Sequence, residues 1–119
     1  MERAYPEYHQ HLRNLTGKLT KEIRGTMSVF GQLYAGSTAD GALSAKVKQL
    51  MALSIAVTVR CDGCIDYHVH DALRAGATRQ EIMESIAVAV MMGGGPAMVY
   101  GCEALEALEQ FEAVGVPRE

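Results

Sequence analysis

The sequence has little of what secreted, membrane or nucleic-acid-binding proteins need. It contains three cysteines, three prolines and no tryptophan in 119 residues. A secreted disulfide scaffold normally carries more cysteines, in an even number, so we do not expect one. The formal net charge of −3 gives no electrostatic reason to expect a nucleic acid as a partner. Residues 1–6 lack the apolar segment of a secretory signal, so we expect a cytoplasmic protein.

The composition is that of a globular protein, with 49% hydrophobic and 21% charged residues. At this length we expect a single domain over residues 1–119. The stretch from Ser85 to Cys102 has no charged residue and approaches the length of a bilayer span. Three glycines and a proline at 93–96 would break a spanning helix. We therefore expect two buried segments of a soluble protein and no membrane contact.

Apolar residues recur at steps of three and four, and no long alternation indicates a strand. The sequence therefore predicts an all-α fold of about six helices. Ser44 is a suitable N-cap for the third helix, and Thr78 with Glu81 forms a capping box for the fifth. A buried strand is the competing interpretation for the β-branched end of the third helix, but its long helical lead-in favours a helix. The predicted helices are 6–17, 20–35, 45–59, one from a turn at 60–64 to residue 76, 78–92, and one beginning near Pro96.

Two of these helices are apolar on nearly every side, which has a consequence for assembly. A small bundle of 119 residues cannot surround both of them, because a helix that is apolar all round needs partners all round. We therefore expect a homo-oligomer, with the third helix, the fifth helix and the region 95–98 at contacts between subunits.

The pattern that carries chemistry is Cys61, Cys64 and His68. Two thiols three residues apart at a helix start can close into a disulfide with little backbone movement. The free amides and the positive end of the helix dipole favour the thiolate there. A histidine one turn beyond Cys64 can accept a thiol proton. In a reducing compartment this pattern indicates redox or metal chemistry, and redox chemistry is the favoured interpretation.

On a helical wheel the two cysteines and His68 share one arc with apolar residues, which predicts a core-directed face. Asp66, His70 and Arg74 fall on the opposite side and are expected to be solvated. A metal site is the chemical rival, because two cysteines and a histidine can be ligands. His70 lies about 180° from Cys61 on the wheel and cannot complete the same tetrahedron, so no metal and no cofactor are expected.

The chain resembles the AhpD-like, or carboxymuconolactone decarboxylase, family over roughly residues 25–110. The matching segments are Gly41–Lys46, Leu50–Val59, Arg60–His68, Ala72–Thr78, Glu81–Glu84 and Met91–Pro96. The Cys-x-x-Cys-x-x-x-His core, followed by Ala-Gly-Ala-Thr, is the specific part of this resemblance.

The resemblance implies an all-α fold that assembles as trimers or hexamers. It also implies hydroperoxide reduction by the paired cysteines, recycled by a lipoylated or thioredoxin-like dithiol. Cys64 matches the thiol that peroxide oxidises, Cys61 the resolving thiol, and His68 the proton-relay histidine. The helix dipole alone would favour Cys61 as the more acidic thiol, so the roles of the two cysteines stay open.

Two residues depart from the family pattern. Gln49 stands where the family usually has a glutamate, and an amide cannot accept a proton at neutral pH. Either Glu84 or His68 alone then serves as the base, or the peroxidase activity is weak. Gly63 stands where many relatives have a histidine between the cysteines.

Several other residues have simpler expected roles. Gly93–Pro96 lacks the ending of a phosphate loop and is expected to be a tight turn. Cys102 is expected to be a buried small hydrophobe, while His9 and His11 are expected to be solvated. Tyr100 is expected to pack, with a pocket role as the alternative. Two other functions remain open: a cofactor-free lactone decarboxylase and a non-catalytic redox-sensing module.

Overall fold

A computed structural model describes residues 3–119 of the chain. Over those residues it is all-helical, which confirms the predicted fold class, and it contains no strand. The helices are α1 (Tyr5–Glu22), α2 (Arg24–Thr38), α3 (Ala45–Val59), α4 (Asp62–Arg74) and α5 (Arg79–Val114). The described part of the chain therefore has five helices and not six. The predicted fifth and sixth helices run on as α5, with a break at Gly94, where φ is 68° and ψ is −148°.

Local sequence signals set the start of each helix near the centre of the fold. The Ser44 side chain accepts a hydrogen bond from the Val47 amide, which caps α3. Thr78 and Glu81 form the predicted capping box at the start of α5. α3 has the predicted bounds and is helical to Val59, so the alternative of a strand at its end is wrong.

The core lies where α3, α4 and α5 pack against one another. Helix α1 adds Tyr5, which is fully buried. The other large apolar side chains that are fully buried come from the three central helices: Leu53, Val57, Ile65, Val69, Ile82 and Leu108. This packing fixes α4, and hence the cysteine motif at its start, against α3 and α5.

The first two helices differ from their predicted bounds. α1 continues through Gly17 to Glu22, because an isolated glycine in an exposed helix weakens the helix without ending it. α2 has no buried residue, and its large apolar side chains Val29, Phe30 and Leu33 are all exposed. It therefore contributes almost nothing to the core of a single chain.

Exposed apolar side chains also line α3 and α5. On α3 they recur at every fourth position, at Val47, Met51, Ile55 and Val59, which places them on one face. On α5 they include Met91 and Met92, both more than 70% exposed. By length and composition alone α5 could cross a membrane, a property it shares with many core helices of soluble proteins.

Candidate active site at the start of helix α4

The two cysteines lie at the junction between α3 and α4. Arg60 ends α3 in the left-handed conformation, with φ at 61° and ψ at 50°, and turns the chain toward α4. Cys61 is the N-cap of α4, and its Sγ accepts a hydrogen bond from the Cys64 amide at 3.2 Å. Cys61 and Cys64 form a disulfide with their Cα atoms 5.2 Å apart. Both residues are half-buried, so the pair is sheltered but reachable from solvent.

His68 lies one turn beyond Cys64 on α4 and bonds to the buried Gln49 of α3. The distance between His68 Nδ1 and Gln49 Oε1 is 2.8 Å. Burial lowers the pKa of His68, with the charge of Asp71 acting weakly in the other direction. The imidazole is therefore neutral at pH 7 and available as a base.

Gln49 connects His68 to two residues that sequence reasoning did not find. Gln49 Nε2 donates to the hydroxyl of Tyr34 at 3.1 Å, and Tyr34 donates to Asp71 Oδ2 at 2.8 Å. Asp71 Oδ1 lies 2.9 Å from Nδ1 of His70. The chain of contacts joins α2, α3 and α4, so no spacing along the sequence could have revealed it.

Helix α1 covers the start of α4. A Cβ atom at Gly63 would lie 3.2 Å from Leu12 Cδ1 and 3.5 Å from the Tyr8 hydroxyl oxygen. Arg3 reaches Asp62 with its Nη2 atom 3.1 Å from Oδ2. Position 63 is therefore packed against α1, and a large side chain there would displace Leu12.

Two residues predicted to be solvated are buried instead. Asp66 is fully buried and His9 is 6% exposed, with His9 Nδ1 2.7 Å from Asp66 Oδ2. The prediction failed because α1 packs over the side of α4 opposite the cysteines, where its His9 pairs with Asp66. His70 stacks on His9, with ring centroids 4.1 Å apart, and is half-buried rather than solvated. Arg74 and His11 are exposed, as expected.

The remaining sequence candidates lie away from this chain of hydrogen bonds. Glu84 is exposed and accepts a hydrogen bond from Gln80. Within residues 3–119 it makes no hydrogen bond to His68 or Gln49. Tyr100 is half-buried and packs against the core. Cys102 is exposed, which contradicts its predicted burial, because it lies on the outward side of α5 with the exposed Met98 and Val99. No group of three or more metal-ligating side chains occurs among the described residues.

The fold and the paired cysteines define a class of all-helical proteins with a Cys-x-x-Cys pair at a helix start. The chain belongs to the carboxymuconolactone decarboxylase family, whose model matches residues 24–107. That match covers α2 to α4 and most of α5. It includes the two paired cysteines and the hydrogen-bonded residues Tyr34, Gln49, His68 and Asp71.

Solved structures of relatives have the same fold. A carboxymuconolactone decarboxylase family protein from Legionella pneumophila is 39% identical, with a TM-score of 0.87, over 90% of this chain and 96% of that one. A family protein from Thermotoga maritima, for which involvement in an antioxidative response has been suggested, is 30% identical. Its TM-score is 0.70 over 75% of this chain and 92% of that one. An uncharacterized protein of Cupriavidus necator is 38% identical over 82% of this chain and 86% of its own length.

Proposed function

We propose that the protein is a thiol-dependent peroxidase that reduces hydroperoxides through Cys61 and Cys64. The observation that carries the proposal is the disulfide between these residues at the start of α4, one turn before a neutral histidine. The suggested antioxidative role of the Thermotoga maritima relative supports the same class of reaction.

The reaction begins when the Cys64 thiolate attacks the outer oxygen of a hydroperoxide. The O–O bond breaks, Cys64 becomes a sulfenic acid, and the leaving oxygen takes a proton and departs as an alcohol. The Cys61 thiol then attacks the Cys64 sulfur, which forms the disulfide and releases water. A dithiol donor, lipoylated or thioredoxin-like, returns both cysteines to thiols and becomes a disulfide itself.

The residues around the pair have separate roles in these steps. Neutral His68 accepts the thiol proton of Cys64 and returns it to the leaving oxygen. The amide of Cys64 donates to the sulfur of Cys61, which stabilises a thiolate on Cys61 when the donor attacks the disulfide. Gln49 holds His68 but cannot accept a proton, so we expect slower peroxide reduction than a glutamate would give.

We further propose that the active form is a homo-oligomer in the cytoplasm, a trimer or a hexamer. Large apolar side chains are exposed along one face of α3, on α5 at positions such as Met91 and Met92, and on α2, which has no buried residue. An exposed apolar surface of this kind is typical of an interaction site. Other copies of the chain would cover it, since a large unpaired apolar surface is typical of subunit contacts.

The test is peroxide consumption by reduced protein with a dithiol donor in excess. Wild type is expected to turn over, and Cys64→Ser is expected to lose at least about 100-fold in rate, because it lacks the attacking thiol. Cys102→Ser should match wild type, because only the α4 pair reacts. In Cys61→Ser, a sulfenic acid on Cys64 should accumulate and be trapped by dimedone.

Background turnover in wild type would contradict the proposal, as would normal turnover in Cys64→Ser. Lactone decarboxylation that persists in a Cys61→Ser, Cys64→Ser double variant would favour the decarboxylase instead. A change in oligomer size on oxidation, without peroxide turnover, would favour the redox-sensing module.

A further inference from the structure

Asp71 lies at the end of a chain of hydrogen bonds that begins at His68. Its two carboxylate oxygens face different donors, with Oδ2 2.8 Å from the Tyr34 hydroxyl and Oδ1 2.9 Å from His70 Nδ1. Burial alone would raise the pKa of Asp71, but the hydrogen bonds from His70 and Tyr34 outweigh it and leave the pKa below its ordinary value. Asp71 is therefore ionised at neutral pH and can only accept hydrogen bonds.

The ionised carboxylate determines the direction of the next hydrogen bond. Tyr34 has a single hydroxyl proton, and that proton points to Asp71. Burial raises the pKa of Tyr34, so the hydroxyl keeps its proton at neutral pH. Toward Gln49, 3.1 Å away, the Tyr34 oxygen can then only accept. The amide nitrogen of Gln49 must therefore face Tyr34.

The orientation of the amide in turn determines the proton on His68. With its nitrogen toward Tyr34, Gln49 presents its oxygen to His68 Nδ1 at 2.8 Å. A carbonyl oxygen accepts and does not donate, so Nδ1 carries the hydrogen of the neutral ring. The other nitrogen, Nε2, is left with a lone pair.

We propose that Asp71 and Tyr34 are positioning residues for the peroxidase site. Together they fix the orientation of the Gln49 amide, and that amide fixes the tautomer of His68. The proposal rests on the proposed function in one respect only: the use of the Nε2 lone pair to accept the thiol proton of Cys64.

This arrangement lets a glutamine at position 49 fix the tautomer of His68 as a glutamate there would. A glutamate beside His68 could only accept and would hold the hydrogen on Nδ1 by itself. A glutamine can either donate or accept, so without further contacts it leaves the tautomer undetermined. Asp71 supplies an acceptor that cannot donate, two hydrogen bonds away from Gln49 through Tyr34. The amide transmits an orientation and not a proton, so Asp71 does not replace the glutamate as a base.

The tautomer can be read directly from the ¹⁵N shifts of the histidine ring, in two-bond ¹H–¹⁵N spectra of the uniformly labelled protein at neutral pH. In wild type we expect His68 to show a protonated Nδ1 and an unprotonated Nε2. In Asp71→Asn the new amide can donate to Tyr34, which allows the hydrogen bonds from Tyr34 through Gln49 to His68 to reverse their direction. His68 should then move toward the Nε2–H form. His11, exposed on α1, is an internal reference.

Two further variants make the experiment decisive. His70→Gln replaces the ring N–H that faces Asp71 with an amide donor and keeps the Asp71–Tyr34 contact, so Asp71 should remain an acceptor and the tautomer should stay as in wild type. Gln49→Glu combined with Asp71→Asn places a carboxylate directly beside His68 and should restore the Nδ1–H form. Alkylation of Cys64 by iodoacetamide in the reduced protein should slow several-fold in Asp71→Asn and recover in this double variant.

An Nε2–H tautomer in wild type would overturn the inference. It would also fail if Asp71→Asn left the tautomer unchanged, or if the double variant did not restore it. Its failure is separable from failure of the peroxidase proposal, because the tautomer is measured without peroxide. A wild-type protein with the expected tautomer and no peroxide turnover would refute only the proposed function.

Discussion

At the scale of single residues, His9 and Asp66 show what sequence reasoning could not reach. Their positions on the helical wheels indicated solvent, yet α1 lies across α4 and buries both. The sequence carries no mark of this, because a buried histidine and a buried aspartate become tolerable only once the tertiary fold pairs them. By contrast, the three residues of the cysteine motif were found from spacing alone, since a disulfide and an adjacent histidine need only one helix.

The His9–Asp66 pair has a specific titration behaviour. Burial, aided by the charge of Asp71, raises the pKa of Asp66 from 3.8 to about 7. Burial, aided by His70, lowers the pKa of His9 from 6.5 to about 4. The folded pair therefore holds one proton between about pH 4 and 7. The unfolded pair holds one proton over nearly the same range, so the two effects on the free energy of unfolding cancel.

Removing one partner should leave the other partner's effect on the free energy of unfolding uncompensated, with opposite signs in the two variants. In Asp66→Asn, the unfolded state binds a proton that buried His9 does not, so stability should rise with pH between about 4 and 6.5. In His9→Gln, buried Asp66 keeps a proton that the unfolded state releases, so stability should fall as pH rises between about 4 and 7. The slope is at most about 1.4 kcal/mol per pH unit in each case.

Urea unfolding at a series of pH values measures these slopes, and each variant is compared with wild type, in which the pair itself adds almost no slope. His11→Gln is a matched control, because it also removes one imidazole from α1, at an exposed position. Changes of slope of the same sign in the two variants, each measured relative to wild type, would contradict this explanation.

At the scale of helices, the accuracy of prediction followed the strength of the local signals. α3 and the start of α5 have the predicted bounds because Ser44 and the Thr78 capping box act within a few residues. The boundary between α1 and α2 was misplaced because Gly17 is compatible with an exposed helix, while the real break is at Ile23. The break in α5 was found, but its form, one long helix bent at Gly94, depends on packing that the sequence does not specify.

The candidate site shows the same division at the level of helices. The cysteines and His68 belong to one helix start and were predicted together. Gln49 was found through the resemblance to a family, because it lies on α3. Tyr34 and Asp71 were missed, since their contact joins α2 to α4 across 37 residues of sequence.

At the scale of the whole molecule, the surface of the single chain carries many large apolar side chains. Four exposed apolar side chains on α3 form one face, and α5 adds the half-exposed Val88, Met98 and Val99 with the more exposed Met91 and Met92. The all-α class could be predicted from periodicity, and the expectation of an oligomer came from the same apolar helices. The size of the oligomer depends on how these faces fit, which the sequence pattern does not define.

The assembly proposal predicts the effect of a charge in this surface. Ile55, in the middle of the α3 face and 60% exposed in the single chain, should become buried in the oligomer. Ile55→Asp should therefore shift the mass in solution, measured by light scattering after size exclusion, toward the monomer, because an unpaired carboxylate is costly to bury. Val114→Asp, at the end of α5, should leave the mass unchanged. A monomeric wild type, or an oligomeric Ile55→Asp, would contradict the proposal.

The central claim is that Cys61 and Cys64 act as one two-electron redox centre toward hydroperoxides. Its most direct test is to add one equivalent of hydroperoxide to fully reduced protein, with no donor present, and to measure intact mass and peptide maps. The account predicts that all the peroxide is consumed and that each chain loses the mass of two hydrogen atoms. Peptide maps should then show the Cys61–Cys64 disulfide, with Cys102 still a thiol. Unconsumed peroxide, or oxygen added to the cysteines with no disulfide formed, would contradict it.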